Sequence, residues 1–377
     1  MTINYFNPHS NDWLLNKFSF YEEIRNNERA YWSDKYKSFI ITRYSDVLYV
    51  LNNSDIFSSA KGNLVVENTS RFGNTLGASD DPLHSLFKNI VKNAYSKNNL
   101  LRIESLFVEK AKELFKKELN ISLISEDLSA WVVTEIINLP FDKEKIKNLI
   151  LGIQKHAMQS VLENIDQKYY DEFLDILTDC IINKIEPTGP GIYQEYMHNV
   201  PKNFNVLSLF TGPTLSGAGS LTSALQYLTL DACDSVGELL SSPSLIPNAV
   251  NESLRLHAST GRFSRTVTQN VLLHGINLKA GDRVIVCLDS ANRDPLMFEN
   301  PNKFLISRDT NKNLAFGHGT HACIALAISK SLMACYLKIL IEEVGYYKIV
   351  NKNFEFVMTQ SGNNDMITNL IIGPIDQ

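Results

Sequence analysis

Cysteine is scarce in this chain. The five present, Cys180, Cys233, Cys287, Cys323 and Cys335, are dispersed, odd in number and free of paired zinc-finger spacings. That pattern argues against a disulfide framework and for a reducing, intracellular setting. Excess positive charge is also missing. There are 36 Lys and Arg against 41 Asp and Glu, a net charge of −5, so nucleic acid is not an expected partner. Residues 1–13 are polar and contain no hydrophobic leader. No segment reads as a membrane span. The nearest, 204–230, has no charged residue, but Gly212, Pro213, Gly217, Gly219 and many hydroxyls interrupt it. A span needs about 20 predominantly apolar residues, so this one is expected to be a buried helix. There is no internal repeat, low-complexity tract or clear linker.

Helical periodicity dominates what is present. It predicts helices over 12–26, 45–51, 82–95, 100–118, 128–137, 142–158, 167–184, 204–230, 246–257 and 322–344. Strand signals are shorter. Residues 31–33 and 39–42 suit a hairpin, 271–275 with 283–286 form a second β-rich patch, and 354–358 and 366–371 suit terminal strands. The expected fold class is mainly α with a smaller β region.

The most informative stretch is Phe316-Gly317-His318-Gly319-Thr320-His321-Ala322-Cys323, followed by the apolar run Ile324-Ala325-Leu326-Ala327-Ile328. A thiol at a helix start meets unpaired N–H groups and the positive end of the helix dipole, which lower its pKa. Gly317 and Gly319 let the backbone bend tightly and approach something flat. Phe316 can pack over the sulfur, and His321 can donate to an adjacent anion. These features suit a buried thiolate that ligates a metal inside a planar cofactor. A plain buried cysteine and a nucleophilic thiol are the competing readings.

The pattern Phe316-Gly317-x-Gly319-x-His321-x-Cys323 is similar to the haem-binding loop of the cytochrome P450 family. One departure is Ala325, where the family carries glycine. The resemblance extends along nearly the whole chain and points to the soluble, bacterial type. It implies a single catalytic domain over 1–377. In it, haem b lies between a long kinked distal helix and the helix after the Cys loop, with Cys323 as the iron ligand. Glu252-x-x-Arg255 occupies the place of the family's E-x-x-R helix. The resemblance gives both residues a structural role, with Arg293 expected to complete their network. His84 and Lys88 resemble the H-x-x-x-R helix, with lysine replacing arginine. With Arg265 and His321 they become candidate partners of the haem propionates, and Arg262 is a weaker competitor of Arg265.

The sequence departs most in the distal helix. The family's small-Gly-x-acid-Thr centre is replaced by Thr211-Gly212-Pro213-Thr214-Leu215-Ser216-Gly217, which has no acid. Ser216 and Thr214 are the candidate proton-relay alcohols, against a proline kink that only shapes the pocket. Analogy suggests substrate contacts at Val65, Phe72, Met158, Leu215, Thr260 and Phe263. The implied activity is monooxygenation of a small organic, specialised-metabolite substrate, free or tethered to a carrier protein. Oxidative coupling, cyclisation, desaturation or peroxide-driven oxidation stay open because of the missing acid, as does a non-catalytic haem sensor. A ferredoxin or flavodoxin fed by an NAD(P)H reductase is the expected redox partner, steered by lysines such as Lys92, Lys97 and Lys312. The expected location is cytoplasmic, away from membranes.

Overall fold

The computed structural model describes residues 6–67, 69–157, 168–199, 207–351 and 353–375. Its first eight helices are α1 (Asn11–Asn27), α2 (Tyr44–Asn52), α3 (Leu83–Val91), α4 (Lys97–Phe115), α5 (Ile121–Ile137), α6 (Lys143–Ala157), α7 (Lys168–Ile182) and α8 (Ile192–Asn199). The others are α9 (Leu207–Thr211), α10 (Ala218–Ala232), α11 (Val236–Ser241), α12 (Ile246–Leu256), α13 (Leu288–Ala291) and α14 (Leu326–Glu343). The strands are β1 (Ala30–Ser33), β2 (Ser38–Ile41), β3 (Phe57–Ser58), β4 (Arg262–Val267), β5 (Val271–Leu273), β6 (Ile276–Leu278) and β7 (Arg283–Cys287). They continue with β8 (Tyr347–Ile349), β9 (Glu355–Met358), β10 (Asp365–Thr368) and β11 (Ile372–Pro374).

Local chemistry explains the helix ends. The Ser10 hydroxyl accepts from the Trp13 N–H at the start of α1, with Asp12 in the first turn and Arg25 in the last. Asn120 accepts from the Ser122 and Leu123 N–H groups at the start of α5, and Asn138, at φ 48°, ends it in the left-handed region. Helices α5 and α10 are buried on nearly every side. The apolar core forms where α10 packs on α5, α12 and α14, and where α14 packs on α4.

The main sheet has the order β1-β2-β7-β4-β3. Strands β2 and β7 pair in parallel, with Ile40 opposite Ile285, and the other neighbours are antiparallel. The β-rich patch of the sequence divides. His274 (φ 46°) and Gly275 (φ 100°) form a tight turn joining β5 to β6, and β7 enters the main sheet instead. The terminal strands form the β9–β10 hairpin.

The expected kinked helix over 204–230 is segmented at its proline. Its described part runs through α9, a π-helical turn (Gly212–Gly217) and α10. Pro213 has no N–H to donate, so the turn widens, and the Ala218 N–H reaches back to the Pro213 carbonyl. The helix expected from residue 322 begins at Leu326. Helices α8, α11 and α13 have no counterpart in the predicted set. Among the described residues, no helix is long and apolar enough to cross a membrane.

Candidate active site

The Phe316–Cys323 loop is fixed from within. The Cys323 N–H donates to the Phe316 carbonyl (2.9 Å) and the Gly317 N–H to the Leu314 carbonyl (2.8 Å). Gly317 and Gly319 both have φ 69°. A β-carbon added at Gly319 would sit 2.7 Å from the Leu51 carbonyl oxygen, so this close approach requires glycine.

Cys323 opens onto a cavity of about 310 Å³ that passes beneath the loop and the π-helical turn. Its side chain is accessible only in the sense that it forms cavity wall; the sulfur itself lies deep in the protein. Burial pushes the thiol pKa up, partly offset by the Ala325 N–H and by Lys88. This reverses the lowering expected from a helix start. The helix begins three residues beyond the sulfur, and desolvation wins.

His84, Lys88, Arg265, Phe316 and His321 line the same cavity. The i, i+4 spacing on α3 aims His84 Nε2 (3.2 Å) and Lys88 Nζ (3.1 Å) at the Thr320 carbonyl. The other His84 ring nitrogen meets the Leu76 carbonyl (2.9 Å). His321 lies with its ring 4.0 Å from that of His84. Burial, then Arg265, His84 and Lys88, push its pKa down to about 3. Burial likewise lowers Arg265 to about 10, opposed by Asp80, and its guanidinium donates to the Ser264 carbonyl (2.7 Å). Among the described residues, no Asp or Glu lines the cavity. Cationic and donor groups therefore converge on a space with no anion of the protein's own, which fits the two propionates of a haem above a thiol. Arg262 is elsewhere: it is fully buried and bound to Asp289 (3.1 Å) and Asp365 (3.3 Å).

Glu252 and Arg255 form a wholly buried bidentate pair at 2.7 and 2.8 Å. The expected third member is corrected. Arg308 Nε donates to Glu252 Oε1 (2.9 Å), whereas Arg293 donates to the Leu256 carbonyl and Asn302 Oδ1 (both 3.0 Å). The Arg293 guanidinium lies on the Phe18 ring at 3.6 Å. Arg308 had no local signature in the sequence, because its partner is 56 residues away.

The expected substrate contacts divide. Thr260, Phe263 and Ser216 line the cavity. Thr214 does not: it is fully buried, and its hydroxyl donates to the Phe210 carbonyl (2.8 Å). Val65 packs away from the cavity with Phe6, Trp13 and Ile40, leaving its neighbour Leu64 on the wall. Phe72 is also off the wall, where its neighbour Arg71 takes the place. Met158 and the Leu215 side chain lie outside the described residues. Sequence reasoning did not single out Thr211 or Asn364, although 210–217 and 359–366 are candidate substrate segments, and it missed Ser220; all three line the cavity.

Comparison with known proteins agrees with this geometry. The cytochrome P450 family model matches residues 240–347, which include Glu252, Arg308 and Cys323. The chain is 27% identical to cytochrome P450(BM-1) of Priestia megaterium over 350 residues, covering 85% of each. Its fold is similar to that of P450 OxyD, involved in the biosynthesis of vancomycin-type antibiotics (TM-score 0.83, 19% identity, 97% of this chain and 98% of that one). It is similar too to P450BioI in complex with an acyl carrier protein ligated to hexadec-9Z-enoic acid (TM-score 0.82, 18% identity, 97% and 100%). The matched model and the relatives make the chain similar to cytochrome P450 proteins, monooxygenase-type oxidoreductases with haem b as their cofactor.

Proposed function

We propose that the protein hydroxylates, or otherwise oxidises at a C–H bond, a small organic molecule of specialised metabolism, and that residues 1–377 act as one cytoplasmic catalytic unit. The observation that carries this reading is the convergence of one thiol and four nitrogen-bearing side chains on a cavity without a carboxylate. Cys323 would ligate the iron. His84, Lys88, Arg265 and His321 would hold the propionates, and Phe316 would pack beside the sulfur. Bound haem b supplies the redox centre at which dioxygen is activated. The apolar wall, including Leu221, Ala224 and Phe263, excludes water and orients the substrate. The Ser216 hydroxyl, on the wall of the π-helical turn, hands protons inward with water, since the turn carries no acid.

The missing acid favours a second reading. Direct use of peroxide, which carries its own protons, would relieve the need for a dedicated proton relay; coupling, cyclisation and desaturation are alternative outcomes of the same hydrogen abstraction. A carrier-tethered substrate is supported by the likeness to P450BioI in its carrier complex. Exposed Lys92, Lys97 and Lys312 would steer an acidic ferredoxin or flavodoxin reduced from NAD(P)H.

The reduced, carbon monoxide-treated holoenzyme is expected to show the red-shifted Soret band of thiolate ligation, and Cys323→Ser to lose it. A folded, haem-loaded wild type without that band refutes the assignment. Product mass then separates oxygen insertion from loss of two hydrogens.

A further inference from the structure

Three polar side chains with no part in the chemistry above meet on the cavity wall. Asn364 Nδ2 donates to Ser220 Oγ (2.7 Å) and to Thr260 Oγ1 (3.3 Å), and the two hydroxyls lie 2.9 Å apart. They come from α10, from the loop between α12 and β4, and from the turn before β10. That turn is held in place. The Asn364 carbonyl accepts from the Thr359 N–H (2.9 Å) and hydroxyl (3.1 Å), Asn363 donates to the Arg262 carbonyl, and Asp365 is bound by Lys17 at 2.7 Å. The Asn364 side chain is buried, at 6% exposure.

Counting bonds shows what is left over. One Asn364 amide hydrogen serves the two neighbouring hydroxyl oxygens, and one hydroxyl donates to the other. One O–H hydrogen, the second amide hydrogen and Asn364 Oδ1 then have no partner among the described residues. Thr211 Oγ1, also buried on the wall of this cavity, has no partner among them either. Buried polar groups left open toward a cavity are what a ligand completes. The ligand group is neutral. Arg71, the cation on this wall outside the propionate-holding set, has its charge met by Glu67 (2.7 Å), with its buried Nε–H left open.

We propose that Ser220, Thr260 and Asn364 are specificity-determining residues that grip a neutral substrate group able both to donate and to accept a hydrogen bond, such as a carboxamide or an alcohol. This rests on the reading that the cavity holds the substrate. A group so gripped fixes which C–H bond faces the reacting centre, and an apolar analogue would leave the three side chains unsatisfied.

The test uses holoenzyme and three probes of similar shape: 2-phenylacetamide, phenylacetate and isobutylbenzene. Equilibrium dialysis gives each Kd without relying on the iron. Phenylacetamide is expected to bind more tightly than phenylacetate. Thr260→Val and Asn364→Leu are expected to shift the phenylacetamide-to-isobutylbenzene ratio by about fivefold or more toward the hydrocarbon, the worth of one net hydrogen bond. A smaller shift, or tighter binding of phenylacetate, overturns the proposal. If Asn364→Leu does not fold, Thr260→Val and the wild-type order decide alone. Failure here with an intact thiolate band leaves the haem-thiolate reading standing. Loss of that band leaves these binding ratios still readable.

Discussion

Removing the Glu252 carboxylate is the sharpest test of how the haem loop is supported. Glu252 Oε1 accepts from Arg308 Nε (2.9 Å), Arg255 Nη2 (2.8 Å) and the Leu305 N–H (3.0 Å), and Oε2 accepts from Arg255 Nε (2.7 Å). Glu252→Ala strips two guanidiniums of their counter-charge, and one of them is wholly buried. Breaking a buried pair in this way costs about 3–5 kcal/mol. Arg308→Ala leaves Glu252 its bidentate bond to Arg255, so the loss is one charge-assisted bond, about 1.5–3 kcal/mol. Unfolding entropy scales with length, and for 377 residues it is about 0.8 kcal/mol/K, so a loss of about 4 kcal/mol lowers Tm by about 5 °C. A double-mutant cycle read by thermal circular dichroism should give Glu252 and Arg308 a coupling of about 2 kcal/mol. Glu252 and Arg293, which share no bond, should couple by less than about 0.5 kcal/mol. Equal couplings, or a larger one with Arg293, would refute the assignment of Arg308 as the third member.

Other expectations follow from single contacts. Ser216→Ala should cut product formed per NAD(P)H by at least about tenfold, while Thr214→Val, whose hydroxyl is spent on the Phe210 carbonyl, should leave that yield intact; equal losses would sink the relay assignment. Burial alone would raise the Asp365 pKa, but Lys17 and Arg262 outweigh it and hold the carboxyl well below 3.8. A depressed folded pKa gives stability that is present above the ordinary value and lost as pH falls through the folded one. Asp365→Asn should therefore be less stable at pH 7 yet flatter in its acid unfolding below about pH 4; an unchanged acid limb in urea titrations would contradict this. Gly319→Ala should cost about 1–3 kcal/mol and loosen haem, measured as haem transfer to apomyoglobin, because of its φ of 69° and the Leu51 carbonyl.

Much of the site could be read from residues a few positions apart. The glycine pattern around Cys323, the Glu252–Arg255 pair and the His84–Lys88 face each span seven residues or fewer within a segment, so spacing read with the family resemblance exposes them. Pro213 announced an interruption because it lacks a donor, and the helix does break there. Residues separated along the chain were less legible. Val65 and Leu64 are adjacent in sequence, but packing against Phe6 and Trp13 decides which of them meets the cavity.

Backbone chemistry that acts at short range, in caps, turns, glycine conformations and helical periodicity, is written in residue order and needed no tertiary information. Whether Arg308 or Arg293 reaches Glu252, whether the Cys323 thiol is pushed up or down, and whether Ser220, Thr260 and Asn364 meet at all were settled only when distant segments closed on one another. Desolvation and converging hydrogen bonds depend on what surrounds a group in space, and no local pattern carries that.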